Sequence, residues 1–522
     1  MRWLRSPTIH PVLIGVYPVL ALLAFNLEQA EISEAVRSLA AALVGSLLLL
    51  LLLRLVVGEW HRAAAISTLA LVLFYSYGHI YGYMKGVQIS EFVVGRHRYL
   101  APIWLLAFAA GTWAILRKLR QPRALSSFLN TVTLIAISFT VVQIGTFEYR
   151  RFVAEREVST ASDILPAAGL EMDPDQPTRD IYYIILDEYT RADTLREVFE
   201  LDNSDFLNRL QEMGFYVAEC SQSNYAQTEL SLASSLNYSY LQDLDESFVA
   251  DIEDRSHLRP LIVNSAVRAQ LEALGYQTVA FETGYYWTQL KDADVYLFPR
   301  LGSLQNLGVQ SGINGFETLL FRTTAGTILA DGASVLPKAL VPDLNSTRRK
   351  HRDRVLFVLS SLERLPSLSG PKFVFVHIVS PHVPFVFGPE GEPVNTGNVQ
   401  TAQSDDNSSR ARYRDQVIYL NSRMVRILEE IIEASSPDPI IILQGDHGPS
   451  AEGNRMRILN AYYLPEGGEE MLYQSISPVN SFRVVFNRYF GGHYSILPDE
   501  SYLSTYDAPY NFHQVIDDAP EC

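Results

Sequence analysis

The stretch from Asp180 to Tyr189, DIYYIILDEY, decides the fold. Its centre, Ile181 to Leu186, is apolar or aromatic without interruption, which is typical of a strand buried on both faces of a parallel sheet. Asp187 and Glu188 follow at the carboxyl end, where open α/β sheets bind their ligands. A carboxylate at this place is a suitable ligand for a hard cation. The alternatives are an acid in a solvated loop and a cap for the next helix.

A second strand of the same design, Pro439–Leu443, lies far downstream and ends in QGDHG. Within that motif, Asp446 and His447 are an oxygen ligand and a nitrogen ligand side by side. Together with Asp187 they form a set suited to Mn²⁺, Mg²⁺ or Zn²⁺. We therefore predict a divalent metal site made by Asp187, Asp446 and His447, with Glu188 as the alternative to Asp187.

Thr228 stands at the start of a predicted helix, Thr228–Leu236. A hydroxyl in that position commonly caps the helix. A helix amino terminus is also where free N–H groups and the helix dipole stabilise a phosphoryl group. A threonine there becomes a nucleophile if a metal lowers the pKa of its hydroxyl. Thr228 is therefore a candidate for both nucleophile and metal ligand, with a capping role as the alternative.

A third strand is predicted in FVFVHIVSPHVPF, residues 373–385. His377 belongs to the apolar run and is interpreted as a core histidine. His382 lies between Pro381 and Pro384 on a rigid loop. It is the better candidate for a phosphate contact or a general acid.

Bulk composition bounds the class of protein. The chain has 522 residues, a net charge of −16 and 48% hydrophobic residues. Its length predicts two or more domains. The negative charge argues against general affinity for nucleic acid or for an anionic membrane surface. There are two cysteines, Cys220 and Cys522, and a bridge between them is not expected because Cys522 is terminal.

The apolar residues are concentrated before about residue 150. Five stretches approach the roughly 20 residues that a membrane-spanning helix needs. They are residues 9–27, 37–57, 63–84, 101–116 and 128–148. Basic residues favour one side of the predicted membrane, which should be the cytoplasm: Arg2, Arg5, Arg54, Arg62, Arg117, Lys118, Arg120 and Arg123. An odd number of spans then places everything after about residue 146 outside the cytoplasm.

The remainder of the chain alternates strand and helix signals. This order predicts an α/β domain with a mostly parallel sheet between helices. We predict three parts: a transmembrane helical domain at 1–148, a linker with an interfacial helix at its start at 149–179, and an extracytoplasmic catalytic domain at 180–522.

The combination of five spans with IILDEYTRAD, SNYAQTELSLASSLNYSYL, SPHVPF and QGDHG resembles the membrane-anchored branch of the alkaline phosphatase/sulfatase superfamily. Lipoteichoic acid synthases and lipid A phosphoethanolamine transferases are similar. The resemblance implies a threonine nucleophile, Thr228, on a divalent metal held by Asp187, Asp446 and His447. It also implies that His382 contacts the substrate phosphate.

The chain departs from relatives of this kind in several places. Sulfatases need a Cys or Ser in a C/S-x-P-x-R motif, whereas Thr228 is followed by ELSL. Lipoteichoic acid synthases grip glycerol phosphate with a Trp and an Arg. Trp287 could match the Trp, or it could be ordinary packing, and the Arg is not evident. We assign substrate binding to His382, Trp287 and Asn224.

The resulting hypothesis is that the chain is a multi-pass protein of the cell membrane and acts as a metal-dependent transferase. It would move a phospho-alcohol head group from a membrane lipid in the bilayer to a cell-envelope glycan or lipid acceptor, through a phosphothreonine intermediate. The alternative is a phosphodiesterase or phosphatase that uses water as acceptor. A third hypothesis is a non-catalytic membrane-anchored binding protein. No nucleic acid partner is expected.

Overall fold

The computed structural model describes residues 8–27, 30–85, 87–89, 92–93, 95–158, 169–172, 177–245, 247–250, 252–299, 313–331, 346–394, 407–449, 455–519 and 522. The helices are, in chain order, α1 His10–Ala24, α2 Ile32–Val57, α3 Trp60–Met84, α4 His97–Arg117, α5 Pro122–Val158, α6 Ala192–Phe199, α7 Ser204–Glu212, α8 Thr228–Ser235, α9 Leu241–Leu244, α10 Leu258–Val263, α11 Ala266–Ala273, α12 Gly315–Thr323, α13 Thr327–Asp331, α14 Ser346–Leu362, α15 Asn407–Ala434 and α16 Pro478–Tyr489. The strands are β1 Gln88–Ile89, β2 Phe92–Val93, β3 Ile181–Leu186, β4 Tyr216–Val217, β5 Gln277–Phe281, β6 Val295–Leu297, β7 Lys372–Ile378, β8 Ile440–Gly445, β9 Asn460–Tyr463, β10 Ser501–Leu503 and β11 His513–Val515.

The amino-terminal helices α1 to α5 fall where the five spans are predicted. Among the described residues, four of them, α2 to α5, are long and apolar enough to cross a membrane. Helix α1 is apolar but has 15 residues, so it is shorter than a full span. The structure therefore approximately matches the prediction of about five membrane-spanning helices.

The chain divides into two compact units. Unit 1 contains residues 1–149 and 302–347, and unit 2 contains residues 150–301 and 348–522. Residues 313–331, which carry α12 and α13, thus group with the amino-terminal helices. The predicted linker at 149–179 falls partly outside the described residues, and its first residues continue α5 to Val158. The predicted domain bounds at 148 and 179 remain a prediction.

Unit 2 is built on a sheet that has seven strands in the described part of the chain, in the order β4-β9-β8-β3-β7-β5-β6. The pairs from β8 through β6 are parallel, whereas β9 and β4 join antiparallel at one edge. The predicted α/β fold with a mostly parallel sheet is therefore confirmed. Strand β3 occupies the centre, and every residue from Ile181 to Leu186 is buried, as its unbroken apolar run requires.

Alternate residues of the central strands enter two separate cores. Ile181, Tyr183 and Ile185 face a core that also contains residues of α8 and α16. Tyr182, Ile184 and Leu186 face a second core that contains residues of α6 and α15. Because side chains alternate along a strand, parity decides which core a residue enters. Helix α8 covers one face of the sheet. The residues on that face have odd numbers on β3 and β7 and even numbers on β8.

The two cysteines form a disulfide, so the expectation that they would stay unpaired is wrong. Cys220 and Cys522 have their Cα atoms 5.4 Å apart. Ion pairs bring the last residues to this place: Arg191 lies 2.6 Å from Asp517, and Arg457 lies 2.6 Å from Asp518. A terminal position therefore did not prevent pairing, because buried arginines hold the carboxyl-terminal segment against unit 2.

Replacement of Cys522 by Ser should destabilise unit 2, because the bridge links positions that are 302 residues apart in sequence. A lost bridge of this kind costs about 2–4 kcal/mol of unfolding free energy. Urea unfolding of the wild type and of Cys522→Ser, each with and without reductant, measures the difference. Equal stability of the four samples would contradict the assignment.

Candidate active site

The ends of three neighbouring strands bring the predicted ligands together. Strand β3 pairs with β8, and the last pair in register is Leu186 with Gly445. The next residue on each strand is a carboxylate, Asp187 on one and Asp446 on the other. Gly445 is needed beside them because a Cβ there would lie 2.3 Å from the carbonyl oxygen of Tyr189. The two acids thus stand side by side at the carboxyl edge of the sheet.

A third group joins them from β7. His377 pairs with Ile185, and it lies on the same face of the sheet as Asp187 and Asp446. One ligand atom from each of Asp187, His377 and Asp446 lies within 4.8 Å of the others, and all three residues are buried. His377 had been interpreted as a core histidine, and its place in this cluster was missed. The sequence does contain a signal, because the odd number of His377 places it on the same face of the sheet as Asp187. That signal can be used only once β7 is known to lie next to β3.

The Thr228 hydroxyl points at the same place. Thr228 is the first residue of α8, and its Oγ1 lies 3.2 Å from Nε2 of His447. The Nδ1–H of His447 donates to the carbonyl oxygen of Gly448 at 2.9 Å, which leaves the lone pair on Nε2. Residues that are 219 positions apart therefore meet. The geometric condition for the predicted site is present: a hydroxyl faces the ligand set.

A buried ion pair fixes the backbone on both sides of Thr228. The guanidinium of Arg255 binds the carboxylate of Glu229, and it also donates to Oε1 of Gln227 at 2.9 Å. The hydroxyl of Tyr285 donates to Glu229 at 3.2 Å. Since both neighbours of Thr228 are held by one rigid, planar cation, the direction of the hydroxyl is defined before any substrate arrives.

The ligand set fits a divalent cation. Within this cluster, three buried atoms lack a hydrogen-bond partner: Oδ1 of Asp187, Oδ2 of Asp446 and Nε2 of His377. Buried polar atoms of native proteins normally have partners, so such a cluster indicates a ligand. The other oxygen of Asp446 accepts from the backbone N–H groups of Glu188 and His447, at 3.0 and 2.9 Å. The first of these bonds depends on Glu188 adopting a left-handed φ of 63°.

A chain of hydroxyls sets the tautomer of His377. Thr283 donates to the carbonyl oxygen of Tyr285 at 3.0 Å, and Thr288 donates to Thr283 at 3.1 Å. Thr288 must then accept from Nδ1–H of His377, which lies 2.8 Å away. Nε2 of His377 is left with its lone pair, 3.5 Å from Oδ2 of Asp187. This is the arrangement found for histidines that bind metals, whose second nitrogen donates to the protein.

The electrostatics of the cluster reflect two carboxylates in one buried place. Burial and the nearby charge of Asp187 raise the pKa of Asp446 to about 6. Burial would also raise the pKa of Asp187, but His382 and His377 outweigh it and lower that pKa. Burial and the charge of Arg455 lower the pKa of His447 to about 4, so this imidazole is neutral at pH 7. At neutral pH, a cation would therefore meet deprotonated ligands. Below pH 6, Asp446 holds a proton that the cation would have to displace.

A half-exposed group of charges borders the cluster. His382 donates from Nδ1 to the carbonyl oxygen of Val383 at 2.6 Å, and its Nε2 lies 3.9 Å from Glu188. Burial lowers the pKa of His382, but the carboxylates of Asp187 and Glu188 outweigh it and raise the pKa to about 9. His382 is therefore a cation at neutral pH. The carboxylate of Glu188 faces His382 and Arg455, whereas that of Asp187 faces His377.

Arg455 was missed in the sequence. Its Nε donates to the carbonyl oxygen of Ala226 at 2.5 Å, two residues before Thr228, and its NH1 lies 3.7 Å from Glu188. A lone arginine ten residues after a strand carries no signal of its own. The fold brings it to the site because the chain returns there after Gly448.

Trp287 and Asn224 are engaged elsewhere. The Trp287 ring is buried in the core that α8 and α16 share. The amide of Asn224 donates to Ser477 and to the carbonyl oxygen of Glu500, and it accepts from the backbone N–H of Val479. These contacts are typical of packing and of loop anchoring. The assignment of both residues to substrate binding remains a prediction to which the geometry adds no support.

The model of the family described as Sulfatase matches residues 180–482, more than half of the 522 residues. The chain belongs to the sulfatase family. It is therefore an enzyme of the alkaline phosphatase/sulfatase superfamily, as its motifs indicated, with apolar helices before the family domain.

Solved structures show low similarity to this sulfatase-family chain. The C-terminal periplasmic domain of EcEptC from Escherichia coli in complex with Zn is 11% identical, with a TM-score of 0.37, over 60% of this chain and 82% of that one. Lipooligosaccharide phosphoethanolamine transferase A from Neisseria meningitidis is 10% identical, with a TM-score of 0.34, over 91% and 92%. The lipoteichoic acid synthase LtaP from Listeria monocytogenes is 11% identical, with a TM-score of 0.34, over 62% and 75%. No curated protein sequence matches. At these TM-scores the likenesses carry no argument about activity.

Binding of a divalent cation by this sulfatase-family site should depend on pH in a defined direction. Since the pKa of Asp446 is about 6, a cation must displace its proton at lower pH. We expect the dissociation constant for Zn²⁺ to be nearly constant above pH 7, to be about twofold higher at pH 6 and to rise about tenfold per pH unit well below 6. Calorimetric titration of chelator-stripped protein measures it.

Substitutions check which groups hold that cation. Asp187→Asn and Asp446→Asn should abolish stoichiometric binding, and His377→Gln should weaken it, whereas exposed His513→Gln should not. Unchanged affinity in His377→Gln would remove His377 from the ligand set.

His382 should titrate with a pKa near 9 in chelator-stripped protein, well above its ordinary value of 6.5. Its protonation stabilises the folded state fully below pH 6.5, and that contribution is lost as the pH rises through 9. Histidine-labelled NMR would follow the titration, and Glu188→Gln should lower the pKa. An added divalent cation should lower it as well, by offsetting the charge of Asp187. An ordinary pKa in the stripped protein would contradict the electrostatic picture.

Proposed function

We propose that this protein is a metal-dependent phosphotransferase that moves a phospho-alcohol head group from a membrane lipid to a cell-envelope glycan or lipid. The observation that carries the proposal is the position of the Thr228 hydroxyl. It stands at the start of α8, 3.2 Å from His447 and beside the cluster of Asp187 and Asp446. A hydroxyl between a helix amino terminus and a set of cation ligands is suited to attack a phosphorus atom.

The residues divide the chemistry between them. A divalent cation held by Asp187, Asp446 and His447, with His377 beside them, would lower the pKa of the Thr228 hydroxyl and offset charge on the phosphoryl oxygens. Thr228, whose hydroxyl proton would be lost to solvent when the cation binds, attacks as the alkoxide that the second step restores: its Oγ1 forms the new bond to phosphorus while the bond from phosphorus to the leaving alcohol breaks. His382, a cation at neutral pH, donates a proton to the leaving oxygen. In the second step an acceptor hydroxyl gives its proton to His382 and displaces Thr228 from phosphorus.

The identity of the nucleophile favours phosphoryl over sulfuryl transfer within the sulfatase family. Formylglycine is made from Cys or Ser, and position 228 is threonine. A threonine oxygen instead gives a phosphothreonine intermediate. Arg455 and His382 supply two positive groups next to the reacting position, which complements the charge of a phosphodiester.

Two observations support a catalytic unit outside the cytoplasm. The basic residues before α1, in the adjoining ends of α2 and α3, and around the connection from α4 to α5 predict a cytoplasmic side from which an odd number of spans leads outward. The disulfide between Cys220 and Cys522 is typical of an oxidising compartment. The amino-terminal helices would then tether the enzyme to the membrane that contains its lipid donor, which raises the effective donor concentration.

Thr228→Ala should abolish turnover of a phospholipid labelled in its head group, with kcat lowered by at least about 10³-fold. Release of diacylglycerol in vesicles with added Mn²⁺ or Zn²⁺ measures turnover. Ser234→Ala is the matched control, because it removes a buried hydroxyl from the same helix outside the site. Thr228→Ser should retain part of the activity.

Mass spectrometry of the quenched reaction should find the phospho-alcohol on Thr228. Transfer to an added glycan or lipid acceptor identifies a transferase, and release of the free phospho-alcohol to water identifies a hydrolase. Full turnover by Thr228→Ala would overturn the nucleophile assignment without affecting the fold.

A further inference from the structure

Residues 313–331 interrupt the sulfatase-family stretch and belong to unit 1. The family match runs from 180 to 482, yet the chain leaves unit 2 after Leu301 and returns to it at Arg348. Within unit 1, helix α12 contacts α1, α2 and α3. Since α2 and α3 are long and apolar enough to cross a membrane, a helix seated among them is a candidate for membrane insertion.

The first end of this segment is polar and is bound near the beginning of α2. Asn314 forms a reciprocal capping box with Glu317 at the start of α12. The Asn314 amide donates to the carbonyl oxygen of Glu34 at 2.9 Å, and the Glu317 carboxylate lies 2.7 Å from Arg37. Polar groups that bind one another at the end of a span are suited to the membrane–water interface.

The second end lies deeper along the neighbouring span. The backbone N–H of Ala325 donates to the carbonyl oxygen of Phe74 at 2.8 Å. Phe74 precedes the end of α3 at Met84 by ten residues, which is about 15 Å along a helix. Helix α12 has nine residues and is about 14 Å long, so its length matches that depth.

Gly78 makes this approach possible. A Cβ at Gly78 would lie 2.3 Å from the backbone of Thr323 and 2.5 Å from that of Thr324. Small residues allow backbones to come this close between membrane helices. A Cβ at Gly82, one turn further along α3, would meet nothing within 4 Å among the described residues. The close contact is therefore local to the point where the inserted segment turns.

The turn after α12 satisfies its own backbone. Thr324 donates through its hydroxyl to the carbonyl oxygen of Phe321, and it accepts from the N–H of Gly326. The N–H groups of residues 327, 328 and 329 donate to the carbonyl oxygens of 324, 325 and 326. Non-helical backbone is tolerated at membrane depth when such groups are bonded within the protein.

The outward surface of the segment suits hydrocarbon. Leu319 and Leu329 are 40% and 42% exposed, next to spans whose own leucines and valines are exposed. Arg322 is exposed close to the turn and sets a limit on depth. Its long side chain has to reach the head groups, which keeps the segment within one leaflet.

We propose that residues 313–331 form a re-entrant hairpin. It enters the bilayer beside the start of α2 and turns at Thr324–Gly326 near the middle of α3, and α13 starts the return toward the same side. Its partner is the acyl-chain layer of one leaflet. The sulfatase-family stretch is thereby fixed to the membrane at a second point in the chain, after the amino-terminal helices.

Spin labels on the full-length protein in phosphatidylcholine vesicles test the proposal. The native cysteines are bridged, so a label introduced at Leu319→Cys or Leu329→Cys is specific. Both labels should collide several-fold more with oxygen than with a water-soluble nickel complex, as Leu106→Cys in α4 should. Asn208→Cys on the surface of unit 2 should show the reverse. Nickel access at 319 and 329 equal to that at 208 would overturn the hairpin, as would cross-linking between copies at these positions.

A glycine pair on α3 provides the matched control. Gly78→Leu should displace the segment and raise nickel access at 319 and 329 several-fold, whereas Gly82→Leu should leave both labels unchanged. Equal effects of the two substitutions would show that the segment is not held at Gly78. If Gly78→Leu fails to fold, the labels in the otherwise unaltered chain still decide the proposal.

Discussion

Two carboxylates that share one buried place are the constraint on which the rest of the site depends. The register of β3 with β8 leaves no choice, because Leu186 pairs with Gly445 and both strands continue with an aspartate. Like charges this close cannot both ionise without compensation, and the raised pKa of Asp446 shows the cost. The backbone N–H groups of Glu188 and His447, which both donate to Asp446, offset part of it. A divalent cation would offset the remainder, and the cluster fits one.

The residues around the site fix the orientation of the side chains within it. Hydroxyls at 283 and 288 fix the tautomer of His377, and Arg255 fixes the backbone around Thr228 through its two neighbours. Neither set touches the reacting atoms. Both restrict the orientation of groups in the site before anything binds. If Thr228 is the nucleophile and the cluster binds a metal, as proposed, this restriction lets groups on separate elements act together.

The sequence predicted the parts that depend on local pattern. Unbroken apolar runs identified β3 and β8, and motifs at their ends identified Asp187, Asp446 and His447, which the fold does bring to Thr228. Features that depend on the order of strands in the sheet, or on contacts between residues distant in sequence, were missed. They are His377, Arg455 and the bridge from Cys220 to Cys522. Helix α12 was missed for a different reason, since nine residues are too few to stand out in a search for spans.

Exposure defines how a substrate must lie in the site. Thr228 is 5% exposed and Asp446 is fully buried, whereas the side chains of His382 and Arg455 are 35% and 27% exposed. In the proposed reaction, a phosphoryl group would therefore enter past these two cations and reach Thr228 at the closed end. The leaving alcohol of that reaction would point toward His382, because the residues of α8 on the other side belong to the buried core. A proposed acceptor would then arrive by the path that the leaving alcohol vacates, so that the same histidine would give a proton in one step and take one in the next.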